Sequence, residues 1–366
     1  MQLLESLEFG KRVNIFEDIS DWQIKNPGKG LYVWGTGSVA VGVIKECVKH
    51  DIRLSGLFVN VTEFNLDSRI ESLELPIFPL QKLIELGEKF SVIIGHSHYE
   101  LITEIENYDL IQKIWSFTGV SREDIGVTEE FVKNNLEKLQ ITFHALADDL
   151  SRRNMIAYLN AKITGDNQYV NDIFDKPSTY FSNDVIELTD NEIYLDLGAY
   201  DGKSMAEFIE TCPSFEKILA VEVLPQVCDS LQKKFKTDHR VEIKNIGISD
   251  HIGIDYFHFD DQSTCLSGDV SETPVEVLTV DALCKDLPGV SLIKVCIGNT
   301  VVPLIKGAGK VLSKDKPKLV IAAGIDNQAL LEYVPLIDSV SGGGYQYYLR
   351  FTNAMTEAMV LYVVPG

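Results

Sequence analysis

The sequence is short of positive charge. Its 33 lysines and arginines stand against 54 aspartates and glutamates, a formal net charge of −21 over 366 residues. So acidic a surface repels phosphate backbones and anionic lipid heads, so neither nucleic acid nor a membrane surface is an expected partner. A small local basic patch is still compatible with an anionic small molecule. Long apolar runs are also missing: none approaches the roughly 18 residues that a spanning helix requires. The start, Met1-Gln-Leu-Leu-Glu-Ser-Leu-Glu8, lacks a basic segment leading into an apolar stretch, so no signal peptide is expected. Cysteine is sparse and unpatterned. The six are Cys47, Cys212, Cys228, Cys265, Cys284 and Cys296. None forms a Cys-x-x-Cys pair and no histidine cluster accompanies them, which removes the usual zinc spacing. A disulfide framework is not expected in a chain long enough to bury a core. These cysteines read as small buried side chains in a reducing compartment, the cytoplasm. Internal repeats and low-complexity segments are absent, and Gly342–Gly344 reads as a plain loop.

What is present describes a globular α/β protein. Apolar residues make up 45 % and charged residues 24 %. The length suits two domains and a connector. We place their limits at 1–122, 123–180 and 181–366. A helical lead-in over about 1–28 precedes strands at 31–34, 54–60, 76–78, 90–94 and 114–117, with helices following residue 37 and near 80–88 and 98–107. This alternation predicts a parallel sheet with helices on both faces. In the connector, Leu136, Leu139, Phe143, Leu146 and Leu150 recur at helical spacing, a packing stripe rather than a binding surface. Further strands are expected at 192–197, 217–222, 241–245, 291–297 and 317–323 with helices between them. An antiparallel pair follows at 345–350 and 357–363, turning near Thr352.

The chemistry concentrates in Glu192-Ile-Tyr-Leu-Asp196-Leu-Gly198-Ala199-Tyr200-Asp201-Gly202-Lys-Ser204. An apolar strand runs into a glycine-containing turn and then a helix, with Asp196 at the strand's carboxyl end, where such sheets bind ligands. Small residues at 198 and 202 allow a ligand close to the backbone. An acid in the turn suits a ligand with a cationic amino group and no phosphate, whereas a dinucleotide pyrophosphate prefers bare amides at a helix start. S-adenosylmethionine is therefore the expected cofactor. The next strand ends at Glu222, a carboxylate able to accept from both ribose hydroxyls. Asn245, ending the third strand, is placed near the adenine by position alone.

Several segments resemble the FkbM-type methyltransferases. The resemblance covers roughly residues 140 to 365. It includes Ser178-Thr-Tyr180-Phe181-Ser-Asn-Asp184, the turn Leu195–Gly202, Ala220-Val-Glu222, Val280-Asp281-Ala-Leu, Leu292-Ile-Lys294, Leu304-Ile-Lys306-Gly307-Ala308, Lys316-Pro317-Lys318-Leu and Tyr345–Arg350. It implies a class I methyltransferase sheet of seven strands, S-adenosylmethionine as cofactor, and methylation of a hydroxyl on a sugar or polyketide-like product. Two departures stand out. The family's Asp-x-Glu-Gly after Ile293-Lys294 is replaced by Cys296-Ile-Gly298-Asn299, and its histidine after the fifth strand is missing from Ile321–Gln328. Methylating a hydroxyl calls for a placed base or a metal. Cys296 is a poor substitute for a carboxylate and reads as a small buried residue at a strand end. Pro303 fits the first turn of the next helix. His258, Asp260 and Asp261 cluster in what reads as an exposed loop, and Asp281 as the cap of the helix it begins. No base and no metal ligand is assigned. A methyltransferase-like protein that keeps the cofactor and has lost the transfer is the alternative.

In the first domain, Gly35-Thr-Gly37-Ser38-Val-Ala40 fits a dinucleotide turn between strand and helix, although Asn60 stands where a ribose-binding acid is expected. This Rossmann-like domain reads either as a nucleotide or nucleotide-sugar site or as a structural domain that forms a homodimer.

Overall fold

The computed structural model describes residues 2–12, 14–60, 70, 75–95, 109–115, 127–176, 178–181, 183–259, 264–267 and 272–366. The fold is mixed α/β and gathers into two compact units. One comprises Met1–Asn134, Ile156–Pro177 and Asn353–Thr356, the other Asn135–Met155, Ser178–Thr352 and Glu357–Gly366.

The first unit is built on β1 (Gly30–Trp34), β2 (Gly56–Val59), β3 (Ile77–Pro79), β4 (Phe90–Ile94) and β5 (Ile111–Trp115), in the order β3-β2-β1-β4-β5. Every pairing is parallel. The unbroken apolar runs of β2 and β4 are buried along their whole length, as strands covered on both faces require. The helices are α1 (Ile15–Lys25), α2 (Ser38–Lys49) and α3 (Leu80–Glu85). Asn14 starts α1 by accepting the Glu17 N–H on its side chain. Ile19, Leu31, Val33, Ile44, Leu57 and Ile93 form the core. The final strand begins three residues earlier than the sequence pattern suggested. The helix expected near 98–107 lies outside the described residues.

The second unit holds β6 (Ile193–Leu197), β7 (Lys217–Glu222), β8 (Val241–Asn245), β9 (Gly247–Ile248), β10 (Gly253–Phe259), β11 (Thr264–Ser267), β12 (Thr273–Leu278), β13 (Leu292–Val295), β14 (Lys318–Ala322), β15 (Tyr345–Phe351) and β16 (Met359–Pro365). Seven of these form one sheet in the order β15-β16-β14-β13-β6-β7-β8, with β16 antiparallel to both of its neighbours. Helices α4 (Leu136–Ala145), α5 (Asp149–Thr164), α6 (Lys203–Thr211), α7 (Pro225–Phe235), α8 (Val280–Leu283), α9 (Val301–Lys306), α10 (Gly309–Lys314) and α11 (Val334–Ser341) complete the chain's main elements. Leu139, Phe143 and Leu146 of the expected stripe are buried. Among the described residues no helix is long and apolar enough to cross a membrane.

One expectation fails here. The connection between the third and fourth main strands is not a plain helix but a four-stranded sheet, ordered β11-β10-β12-β9. Gly253-Ile-Asp-Tyr-Phe-His-Phe259 and Thr273-Pro-Val-Glu-Val-Leu278 are rich in β-branched and aromatic side chains, a strand preference that overrides the helical expectation. Among the described residues of this connection, α8 is the helix.

Arg350 of β15 ties the lead-in to the sheet. It is 7 % exposed. Its guanidinium reaches Asp184 at 2.7 Å, Asp148 at 2.7 Å and the Ser151 hydroxyl at 2.9 Å. Burial alone would raise the Asp148 carboxyl, but Arg350 and Ser151 outweigh it and hold it at about 2. A carboxyl lowered on folding stabilises the protein above its unfolded value and ceases to do so as pH falls through its folded value. Arg350→Met should therefore cost about 2 kcal/mol at neutral pH and weaken the loss of stability between about pH 4 and pH 2, as measured by urea unfolding across that range.

Candidate functional site

The carboxyl edge of the seven-stranded sheet gathers most of the residues singled out in the sequence. β6 ends at Leu197, and the chain turns through Gly198 (φ +84°), Tyr200 (φ +44°) and Gly202 (φ +71°) before α6 begins at Lys203. The turn is pinned to its neighbours. Gly198 and Ala199 donate to the Val221 carbonyl at 3.0 and 3.2 Å, and the Cys296 amide donates to the Leu197 carbonyl at 3.0 Å. A Cβ on Gly198 would lie 2.3 Å from the Cys296 carbonyl oxygen, and one on Gly202 would lie 2.7 Å from Leu231. Both glycines are thus required by backbone conformation and protein packing, before any ligand is considered.

Asp196 is fully buried. Its two oxygens accept from the Ser204 hydroxyl at 2.6 Å and from the Lys294 ammonium at 3.0 Å. Lys294 also donates to the Gly198 carbonyl at 2.8 Å. Burial works against the lysine's charge, but the neighbouring Asp196 outweighs it and the Lys294 pKa is raised. The Asp196 charge is therefore spent inside the protein, and the carboxylate fixes the turn from beneath rather than facing solvent. Lys294 and Ser204 are the site residues that sequence reasoning missed as participants. Their signal is register: Lys294 lies directly opposite Asp196 across the β13–β6 pairing.

Glu222 ends β7 and is 7 % exposed. Its Oε2 accepts the Tyr200 N–H at 3.0 Å, while Oε1 accepts the Val223 and Leu224 amides at 2.9 and 3.1 Å. A carboxylate offers about four acceptor positions, so one on Oε2 stays open. Asn245 is exposed, and its amide donates to the Glu222 and Val223 carbonyls at 3.0 and 2.9 Å, clamping the end of β7. Asp201 pairs with Lys203 at 3.1 Å. The residues at 198–202, Glu222 and Asn245 therefore do meet at one edge.

The neighbouring strand ends carry little charge. Cys296 follows β13 and is half-buried rather than buried, because it lies beyond the last paired residue of the strand. A tight turn over Gly298–Thr300 leads into α9, with Pro303 in its first turn. After β14, Asp326 is half-buried and accepts the Gln328 amide at 2.8 Å and the Tyr333 hydroxyl at 2.5 Å, across a π-helical turn at Ala329–Tyr333. Asp281 does not cap its own helix: Thr279 does, accepting the Ala282 N–H at 3.0 Å. Asp281 instead accepts the Lys310 and Val311 amides at the start of α10. Asp260, Asp261 and the His258 side chain lie outside the described residues. Among the described residues no group of three His, Cys, Asp or Glu side chains could hold a metal ion.

In the first unit, Gly35 (φ +124°) follows β1 and donates to the Phe58 carbonyl at 3.0 Å. Gly37 precedes α2, of which Ser38 is the first residue, and among the described residues a Cβ there would meet nothing within 4 Å. The protein fold does not demand a glycine at 37.

The architecture is that of a Rossmann-like methyltransferase fold. Among solved structures, it is similar to methyltransferase FkbM from Methylobacillus flagellatus KT, at TM-score 0.64 and 21 % identity over 97 % of this chain and 94 % of that one. The resemblance drawn from the motifs thus holds at the level of the fold. Partial likenesses include precorrin-6y C5,15-methyltransferase from Geobacter metallireducens GS-15 (TM-score 0.31, 16 % identity, 48 % of this chain and 80 % of that one). Another is fibrillarin from Aeropyrum pernix, solved with S-adenosyl-L-methionine (TM-score 0.31, 14 % identity, 49 % and 70 %). No protein-family model and no curated protein matches the chain.

Two predictions follow from this geometry. Gly198→Ala should cost more than about 3 kcal/mol by urea unfolding, whereas Gly37→Ala should stay within about 1 kcal/mol. Lys294→Gln should cost about 3–5 kcal/mol because it strands a buried carboxylate. Adding Asp196→Asn to it should restore most of that loss, a coupling measurable in a double-mutant cycle.

Proposed function

We propose that this chain is an S-adenosylmethionine-dependent methyltransferase acting on a hydroxyl oxygen of a sugar or natural product. One observation carries the reading: the left-handed turn at 198–202 is bonded through Tyr200 to the strand-end carboxylate Glu222, at the edge where such sheets hold ligands. The likeness to a structure named as a methyltransferase across 97 % of the chain supports it. The donor set fits the cofactor, since Glu222 keeps an open acceptor position at this edge. Gly198, Ala199, Tyr200, Asp201 and Gly202 would line the methionine and ribose portion, Glu222 would take a ribose hydroxyl, and Asn245 would border the adenine. Asp196 would act by holding the turn through Lys294. When bound, the cofactor supplies an electrophilic methyl group, and the protein's part is to hold the acceptor oxygen in line and accept its proton.

A second reading is favoured by the uncharged stretch Cys296–Thr300: a protein that binds the cofactor without transferring the methyl group. In both readings the domains are 1–122, 123–180 and 181–366, two Rossmann-like domains and a helical connector. The first would hold a nucleotide or nucleotide-sugar at Gly35, Gly37 and Ser38.

Calorimetry with S-adenosylmethionine and S-adenosylhomocysteine tests the shared claim, and absence of binding at high micromolar ligand would end both readings. Incubation with a panel of sugars and polyols then separates them. Formation of S-adenosylhomocysteine that depends on an added acceptor supports the enzyme and excludes the lapsed form.

A further inference from the structure

Among the left-handed residues of the cofactor turn, one is unexplained by the fold. Gly198 and Gly202 adopt positive φ where a side chain would collide with Cys296 and Leu231. Tyr200 adopts φ +44° while carrying a large ring. Bulky residues avoid this conformation, and those that keep it cluster at ligand sites. Elsewhere among the described residues the non-glycine residues with positive φ are Asp51, Asn191 and Lys316. Asp and Asn tolerate the conformation, and Lys316 is secured by the Ser341 and Gly343 carbonyls. Among the described residues, Tyr200 is secured at its backbone, by Glu222. Its ring is 68 % exposed, so the strain is not offset by burial of the side chain.

Charge at this edge indicates what the ring would meet. Asp196 is neutralised by Lys294 and Asp201 is paired with Lys203, leaving Glu222 as the carboxylate beside the turn without a cationic partner among the described residues. An aromatic face carries negative potential, and with a carboxylate next to it the local field favours a cation that bears apolar substituents. A sulfonium is such a group. Resting on the cofactor reading above, we infer that the Tyr200 ring packs against the cofactor's sulfonium and makes the site prefer the charged methyl donor over the neutral thioether product. Such a preference would favour release of the product after transfer.

The test is calorimetry on the full chain with S-adenosylmethionine and S-adenosylhomocysteine, comparing wild type, Tyr200→Phe and Tyr200→Asn. Asparagine tolerates the left-handed backbone and keeps the N–H that Glu222 accepts, so the loop should survive, and the melting temperature of the ligand-free variant should rise. Tyr200→Asn should weaken S-adenosylmethionine binding about five- to thirty-fold, and change S-adenosylhomocysteine binding by less than about three-fold. Tyr200→Phe should match wild type for both ligands. An equal loss for the two ligands, or no loss for either, overturns the inference and leaves the cofactor reading standing. Failure of wild type to bind either ligand overturns both.

Discussion

The second unit is organised by a buried ion pair. Lys294 of β13 and Asp196 of β6 lie 98 positions apart in sequence and 3.0 Å apart in space, with side-chain exposures of 5 % and 0 %. Two charges taken out of water give little net stability, because desolvation offsets their attraction. What such a pair does supply is uniqueness. A slip of one residue between β6 and β13 would turn one partner to the opposite face of the sheet and leave the other charged and alone. The same lysine holds the Gly198 carbonyl, so the register of the central strands and the shape of the turn are set together. At the opposite edge Glu192 and Lys318 form a second pair, with the glutamate side chain fully buried. Burial would raise the Glu192 carboxyl, but Lys318 and its other donors hold it low.

This arrangement changes the meaning of the acidic turn. In a linear sequence Asp196 looks like a negative charge offered to a cationic ligand. In the folded unit that charge is answered by Lys294, and the carboxylate beside the turn is Glu222, itself held by three backbone amides. The strand ends at 296–300 contribute polarity without charge. A ligand here meets a rigid backbone, one partly engaged carboxylate and the exposed ring of Tyr200.

Much of the fold was legible because its signals are local. β2 and β4 announce themselves as unbroken apolar runs, and the glycines at 198 and 202 stand where the chain has to reverse sharply. The sheet β9–β12 interrupts the expected rhythm of strand and helix, because the β-branched and aromatic residues of β10 and β12 are the stronger local signal. Asp281 was assigned to the wrong helix for a related reason. A cap looks the same in sequence whichever helix start the fold brings near it, and here α10 is brought to Asp281 while Thr279 caps α8. Asn245 was placed correctly at a strand end, yet its side chain clamps the backbone of β7.

By itself the sequence determined where most strands and helices lie and where the glycine turn between β6 and α6 falls, because those depend on hydrophobic period and backbone preference within a few residues. Tertiary structure decided what each polar group is for. Whether Asp196 faces a ligand or a lysine, how many acceptor positions Glu222 has left, and why Gly198 cannot be replaced while Gly37 can, depend on atoms brought from other strands. Electrostatics and steric exclusion act through space over a few ångströms, and the chain order does not list those neighbours.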